Sequence, residues 1–146
     1  APIENFSSSD RFDIAVCVFT VSSYWLTEQQ LRSSLRSIHD HLVAGGSLII
    51  DRTGESAFAD TVVETDFVRR DARVTPLEAN TYRFTENSEI IDHDGTRTVS
   101  DSFEIRYWTE EEMLQAAHAV GFSAVEDLSD RFVGSGASFY RLTKNS

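Results

Sequence analysis

Proline and cysteine are nearly absent from this chain, which has two prolines and one cysteine in 146 residues. A single cysteine excludes an internal disulfide framework. Cys17 lies inside the apolar run "FDIAVCVF", where a buried, inert thiol is the expectation. Long hydrophobic stretches are missing too: no run approaches the ~20 residues that cross a bilayer, and the start lacks the charged-then-apolar layout of a signal peptide. By default that places the chain in a reducing, cytoplasmic setting. Basic charge is scarce, with 13 Lys and Arg against 24 Asp and Glu and a net charge of −11. An acidic surface argues against nucleic acid as a partner, because phosphate needs a basic face. Only Arg69, Arg70 and Arg73 cluster, and they read as a solvated face. Glycine is sparse as well, and no G-x-G-x-x-G stretch occurs. "GSGAS" at Gly134–Ser138 precedes the last strand, so it reads as a hairpin turn and not as a phosphate or cofactor cradle. Metal-ligand patterns also fail. His39 and His41 stand two apart on a helix and point in different directions, so they read as surface histidines. "DHDG" at Asp92–Gly95 lacks the remaining ligands of a calcium loop and reads as a turn.

What is present is a crossover unit. "FDIAVCVF" has the length and two-sided apolarity of a strand inside a covered sheet. Thr27 then caps a helix, with Gln30 at the reciprocal capping-box position and Leu31, Leu35, Ile38 and Leu42 as its apolar stripe. Gly45 and Gly46 are expected to end that helix, and "SLIID" follows as a second strand, parallel to the first. From about Ala57 to Trp108 apolar and polar residues alternate, as in strands wetted on one face, with a hairpin signal at "DHDGT". Within it, residues 56–73 read as a helix or an irregular lid. Thr109 with Glu112 caps a second helix whose stripe is Met113, Leu114, Ala117 and Val120; Gly121 ends it, and "FSAVEDL" and "ASFYRLT" are closing strands. There is no internal repeat.

This order of elements resembles the C-terminal half of a class I S-adenosylmethionine-dependent methyltransferase, in particular the bacterial small-molecule and sugar-amine N-methyltransferases. The pieces that carry the likeness are "DRFDIAVCVF", the helix, "LVAGGSLII", the antiparallel insertion, and the helix ending in "AVGF". The resemblance covers nearly the whole chain. It implies an α/β, Rossmann-like fold in which residues 12–19 are strand 4 and 47–51 strand 5 of a sheet ordered 3-2-1-4-5-7-6, with the last two strands as 6 and 7. Residues 1–146 then form a single domain, and residues 57–108 an antiparallel lid within it. The family's glycine-rich turn and ribose-binding acid are not in this sequence. The resemblance therefore implies S-adenosylmethionine as the complete enzyme's cofactor, with weak or no binding by these 146 residues alone.

Ligands of open parallel sheets sit beyond the carboxyl ends of the strands, which singles out "FTVSSYW" and "DRTGE". By resemblance Phe19, Thr20 and Val21 are cofactor-side contacts. Tyr24 stands where several sugar-amine methyltransferases have a histidine base; its hydroxyl suits orienting a nucleophile better than deprotonating one. Trp25, Asp51, Glu55, Tyr82 and Tyr107 are candidate substrate contacts, with Phe84 and Phe103 as further lid walls. Plain structural roles account for the same residues: Tyr24 and Trp25 covering the sheet's end, the aromatics filling a one-sided sheet core, the acids solvated in loops. The expected reaction is methyl transfer to a nitrogen or oxygen of a small molecule. The alternative is a non-catalytic, acidic α+β binding module that uses the 57–108 meander as its surface. Because strand 4 of such a sheet needs a neighbour on each side, residues 12–19 are expected to pair with a second copy, exchange with one, or be shielded by the N-terminal segment.

Overall fold

A computed structural model describes residues 2–146. Its elements, in chain order, are β1 (Phe12–Cys17), α1 (Glu28–His41), β2 (Leu42–Thr53), β3 (Thr61–Glu64), β4 (Val68–Pro76), β5 (Thr81–Asp92), β6 (Gly95–Arg106), α2 (Glu110–Val120), β7 (Phe122–Asp127) and β8 (Ala137–Lys144). They form two compact units. Unit 1 takes residues up to Gly54 and from Trp108 onward; unit 2 is Glu55–Tyr107. The insertion anticipated at 57–108 is thus a separate unit, and Trp108 belongs to unit 1.

Unit 1 is a four-stranded sheet in the order β1-β2-β8-β7. β1 and β2 run parallel, from Ile14 opposite Ser47 to Cys17 opposite Ile50. β8 is antiparallel to both β2 and β7. The period-two alternation of the strands sends Cys17, Leu48, Ile50, Tyr140 and Leu142 to one face. There they meet Leu31, Leu35 and Ile38 of α1 and Met113, Ala117 and Val120 of α2 in one core. Both helices open on complete capping boxes, Thr27 with Gln30 and Thr109 with Glu112. Each box satisfies amides that the first turn leaves without intrahelical acceptors.

The stop of α1 differs from expectation. The helix ends at His41, four residues before the first of the two glycines, with Leu42 already extended. Lys144 reaches back from β8 and donates to the carbonyls of His39 and Leu42 at 2.8 Å each, a basic group at a helix C-terminus. Gly45, at φ 76°, instead makes an irregular step where the β1–β2 register shifts. Gly121 does end α2, at φ 112°, and a Cβ there would lie 2.9 Å from His39 Nε2. Gly121→Ala is therefore expected to destabilise unit 1 by about 1–3 kcal/mol, read as a lower urea midpoint at unchanged slope.

β1 is not the interior strand its composition suggested. It is the sheet's edge, with Phe12, Ile14 and Val16 exposed and only Cys17 buried. No described residue of the N-terminal segment forms a strand on its outer edge. That segment's short 3-10 turn, Ile3–Asn5, packs on α1, where Phe6 meets the His41 ring edge-on at 4.8 Å. His41 Nε2 also accepts the Ser8 N–H, while its Nδ1 lies 2.7 Å from the Ser37 carbonyl. His39 packs edge-on against Phe122. Neither histidine is merely a surface residue, and no group of three metal-ligating side chains occurs among the described residues.

Unit 2 is an antiparallel meander, β3-β4-β5-β6. The hairpin between β5 and β6 turns through His93 and Asp94, with Gly95 at φ 126°. The stretch read as helix or lid is largely strand, because β-branched residues (Thr61, Val62, Val63) and an alternating "VRRDARV" favour extended backbone. Two of its arginines are paired on the wetted surface: Arg70 with Glu86 across the sheet, Arg73 with Asp60 and Asp71. Asp60 accepts the Val74 N–H at 2.8 Å, and that bond, helped by Arg73, holds its carboxyl below the usual aspartate value. No described helix is long and apolar enough to cross a membrane.

Candidate functional site

The carboxyl ends of β1 and β2 lie on one rim of unit 1. β8 begins on the same rim, since it runs against β2 with Ala137 opposite Thr53. Just beyond β1 the backbone does something unusual. Phe19 and Thr20 are consecutive non-glycine residues in the left-handed region, at φ 65° and 64°. Such residues cost roughly 1–3 kcal/mol each and persist only where the surroundings over-determine them.

The surroundings here are specific. Thr20 N–H donates to Asp51 Oδ2 at 3.1 Å. Ser22 Oγ donates to the Asp51 carbonyl at 2.9 Å, and Ser23 Oγ shares a 2.9 Å hydrogen bond with Thr53 Oγ1. The Thr20 carbonyl accepts the Ser23 N–H as a 3-10 turn begins at Val21. Ser22, Ser23, Asp51 and Thr53 are all buried, so these bonds act away from water and fix the loop to the end of β2.

The loop sorts the sequence candidates. Phe19 stands 87% exposed, Val21 and Tyr24 are about half exposed, and Thr20 is exposed too, so all four expected rim contacts face solvent. Trp25 turns inward instead: it is 7% exposed and part of the core, and its carbonyl accepts Trp108 Nε1–H at 3.0 Å. Asp51 is inside as well, 3% exposed, with Oδ1 enclosed and unpartnered. Neither of these two candidate substrate contacts is presented at the surface of unit 1. The Cys17 thiol is pushed up to about 12, first by burial and then by the Asp51 charge, which rules it out as a thiolate nucleophile near neutral pH.

A second segment reaches the rim from the other side. Gly54 N–H donates to the Gly136 carbonyl at 3.0 Å, and Phe132 stacks on Phe139 at 4.2 Å between ring centroids. Phe139 N–H donates to Ser129 Oγ at 3.0 Å, tying the 128–136 loop to β8. Gly134 and Gly136 adopt positive φ within it, which makes "GSGAS" a turn, as anticipated.

In unit 2 the remaining candidates gather around a residue that sequence reasoning passed over. Phe58 lies 4.8 Å from Tyr82, 5.6 Å from Tyr107 and 6.2 Å from Phe84, and Phe84 stacks on Phe103 at 5.6 Å. Tyr82 and Tyr107 stay partly exposed at this cluster; Glu55 is exposed in the 3-10 turn that opens the unit. The missed rim residues, Ser22, Ser23 and Thr53, had one sequence signal: small hydroxyls directly after an apolar strand. Phe132 had none.

No protein-family model matches the chain, and no curated protein is significantly similar in sequence. Solved structures are similar. An S-adenosylmethionine-dependent methyltransferase from Clostridium acetobutylicum superposes with a TM-score of 0.82 at 16% identity, over 99% of this chain and 63% of its own. DesVI of Streptomyces venezuelae gives 0.80 at 24% identity, over 100% and 64%. The sugar N-methyltransferase KedS8 of a Streptoalloteichus species gives 0.78 at 24%, over 100% and 61%. The fold is that of class I methyltransferases. The chain spans under two thirds of the length of these structures, and its order β1-β2-β8-β7 matches the 4-5-7-6 run that the resemblance implied.

Proposed function

We propose that the chain is the substrate-facing part of an S-adenosylmethionine-dependent enzyme that methylates a nitrogen or oxygen of a small molecule, an amino sugar being the class its structural neighbours favour. The observation that carries this reading is the hydrogen-bonded, left-handed rim at Phe19–Thr20, placed where an open parallel sheet receives ligands. S-adenosylmethionine, when bound, supplies an electrophilic sulfonium methyl group. The residues present fit one side of it: exposed Phe19 and Val21 flank it with apolar surface, and Thr20 holds the backbone between them. Tyr24, exposed beside them, orients the acceptor's N–H or O–H for an in-line approach; positioning of this kind supplies much of the acceleration in group transfer. Within unit 2, Glu55, Tyr82 and Tyr107 are the residues suited to a polar ligand, with Phe58 packed against the tyrosines. Trp25 and Asp51 support the rim from within. Residues 57–108 act as a lid, and the bare edge of β1 seats a further strand, from a second copy where no other segment covers it.

The test is a chimera that joins the glycine-rich N-terminal part of a similar methyltransferase to residues 1–146. It is expected to transfer labelled methyl from S-adenosylmethionine to an amino sugar, and Tyr24→Phe to lower kcat by about 10- to 100-fold. Residues 1–146 alone are expected to show no micromolar binding of the cofactor by calorimetry. A folded chimera that binds cofactor yet methylates no amine or hydroxyl acceptor would overturn the enzymatic reading and favour a binding module.

A further inference from the structure

Asp51 is the sole carboxylate among the buried polar side chains of the described residues. Its oxygens are used unequally: Oδ2 accepts the Thr20 N–H at 3.1 Å, whereas Oδ1 is enclosed without a donor. A buried, unsatisfied carboxylate oxygen opposes folding. So does a left-handed Phe19–Thr20 pair, and so does an apolar ring held 87% exposed. All three penalties converge on one hydrogen bond. Stability does not account for that bond, and anchoring the loop does not need it, because Ser22 and Ser23 already tie the same loop to Asp51's carbonyl and to Thr53 through other atoms. What the carboxylate alone does is set the rotation of the Thr20 peptide, and with it the direction in which Phe19 leaves the rim.

We infer that Asp51 is a positioning residue: its side chain touches no ligand, and holds the Thr20 amide so that the Phe19–Val21 rim has the geometry the methyl transfer needs. This rests on the proposed function for its catalytic consequence, but not for its geometry. Cys17, the titratable neighbour, stays a neutral thiol and does not compete for the Thr20 amide.

Two measurements test it. In residues 1–146, the Thr20 amide is expected to be protected from hydrogen exchange, with protection lost in Asp51→Ala, largely kept in Asp51→Asn (whose carbonyl still accepts), and a melting temperature unchanged or raised in Asp51→Ala. In the active chimera, Asp51→Ala is expected to lower kcat by about 100-fold, the scale of a small misplacement, with acceptor KM little changed. Asp51→Asn should recover most of that loss, and Thr20→Gly in the Asp51→Ala background part of it, since glycine takes the left-handed conformation unaided. Intact Thr20 protection in Asp51→Ala would overturn the inference. A melting temperature that falls in step with kcat, without rescue by either second variant, would overturn it equally. If the parent chimera transfers no methyl group, the proposed function falls, while the exchange experiment still decides the geometry.

Discussion

Trp108→Ala is expected to destabilise unit 1 by about 3–5 kcal/mol, enough to unfold a marginal domain. Trp108 is 2% exposed and belongs to the core that joins the two helices to the sheet. Its indole N–H donates to the Trp25 carbonyl, so the alanine variant opens a cavity and also strands a buried acceptor. Its own carbonyl accepts Arg52 Nη1 at 3.4 Å, a contact that truncation of the side chain leaves in place. Trp108→Phe separates the two effects. It keeps most of the apolar surface and forfeits the hydrogen bond, and should cost about 1–3 kcal/mol. Urea unfolding followed by Trp25 fluorescence reads both, and an alanine variant with an unshifted midpoint would refute the assignment of Trp108 to the core. The rim should loosen with the fold, because the Trp25 N–H, on the residue whose carbonyl Trp108 holds, closes the 3-10 turn that carries Tyr24 by donating to the Ser22 carbonyl.

The second large effect concerns the edge of β1. Ile14 and Val16 are 57% and 63% exposed on a strand whose outer hydrogen-bonding side has no partner in the sheet. Covering each recovers roughly 1–2 kcal/mol, so together they should strengthen association by at least about thirtyfold. Replacing both with lysine, a residue that natural sheets use to blunt their edges, is expected to abolish self-association seen by sedimentation velocity at micromolar concentration. A parent chain that stays monomeric across that range, or a double-lysine variant that associates as strongly, would defeat the proposed edge contact. Neither side chain lies in the core, so the variant should keep its melting temperature.

Capping boxes, apolar stripes and two-sided apolar strands are local signals, and α1, α2, β1, β2, β7 and β8 were readable from them. The antiparallel alternation announced β5 and β6. Other features depended on pairing or on chain reversal. "FDIAVCVF" has an interior strand's composition because composition records which neighbours a strand suits, and the 146 residues leave one of its sides open. The end of α1 was misread at Gly45–Gly46 because the cap comes from Lys144, more than a hundred residues away. Residues 56–73 are ambiguous in sequence because short β-branched segments between acids carry weak periodicity until Glu86 and Asp71 supply partners. At the rim, position after a parallel strand pointed to Phe19–Val21 and Tyr24. Nothing local revealed that Trp25 and Asp51 face inward, since burial of one polar carboxylate is decided by the Thr20 amide that meets it.

The place of β8 carries a consequence for biosynthesis. It follows every other described element, yet it lies in the middle of its sheet, between β2 and β7. While these residues emerge from a ribosome, β2 and β7 have no common partner to join them. The sheet therefore closes only once β8 is released, and until then the edges of β2 and β7 that β8 fills stay open to chaperones or to neighbours on a polysome.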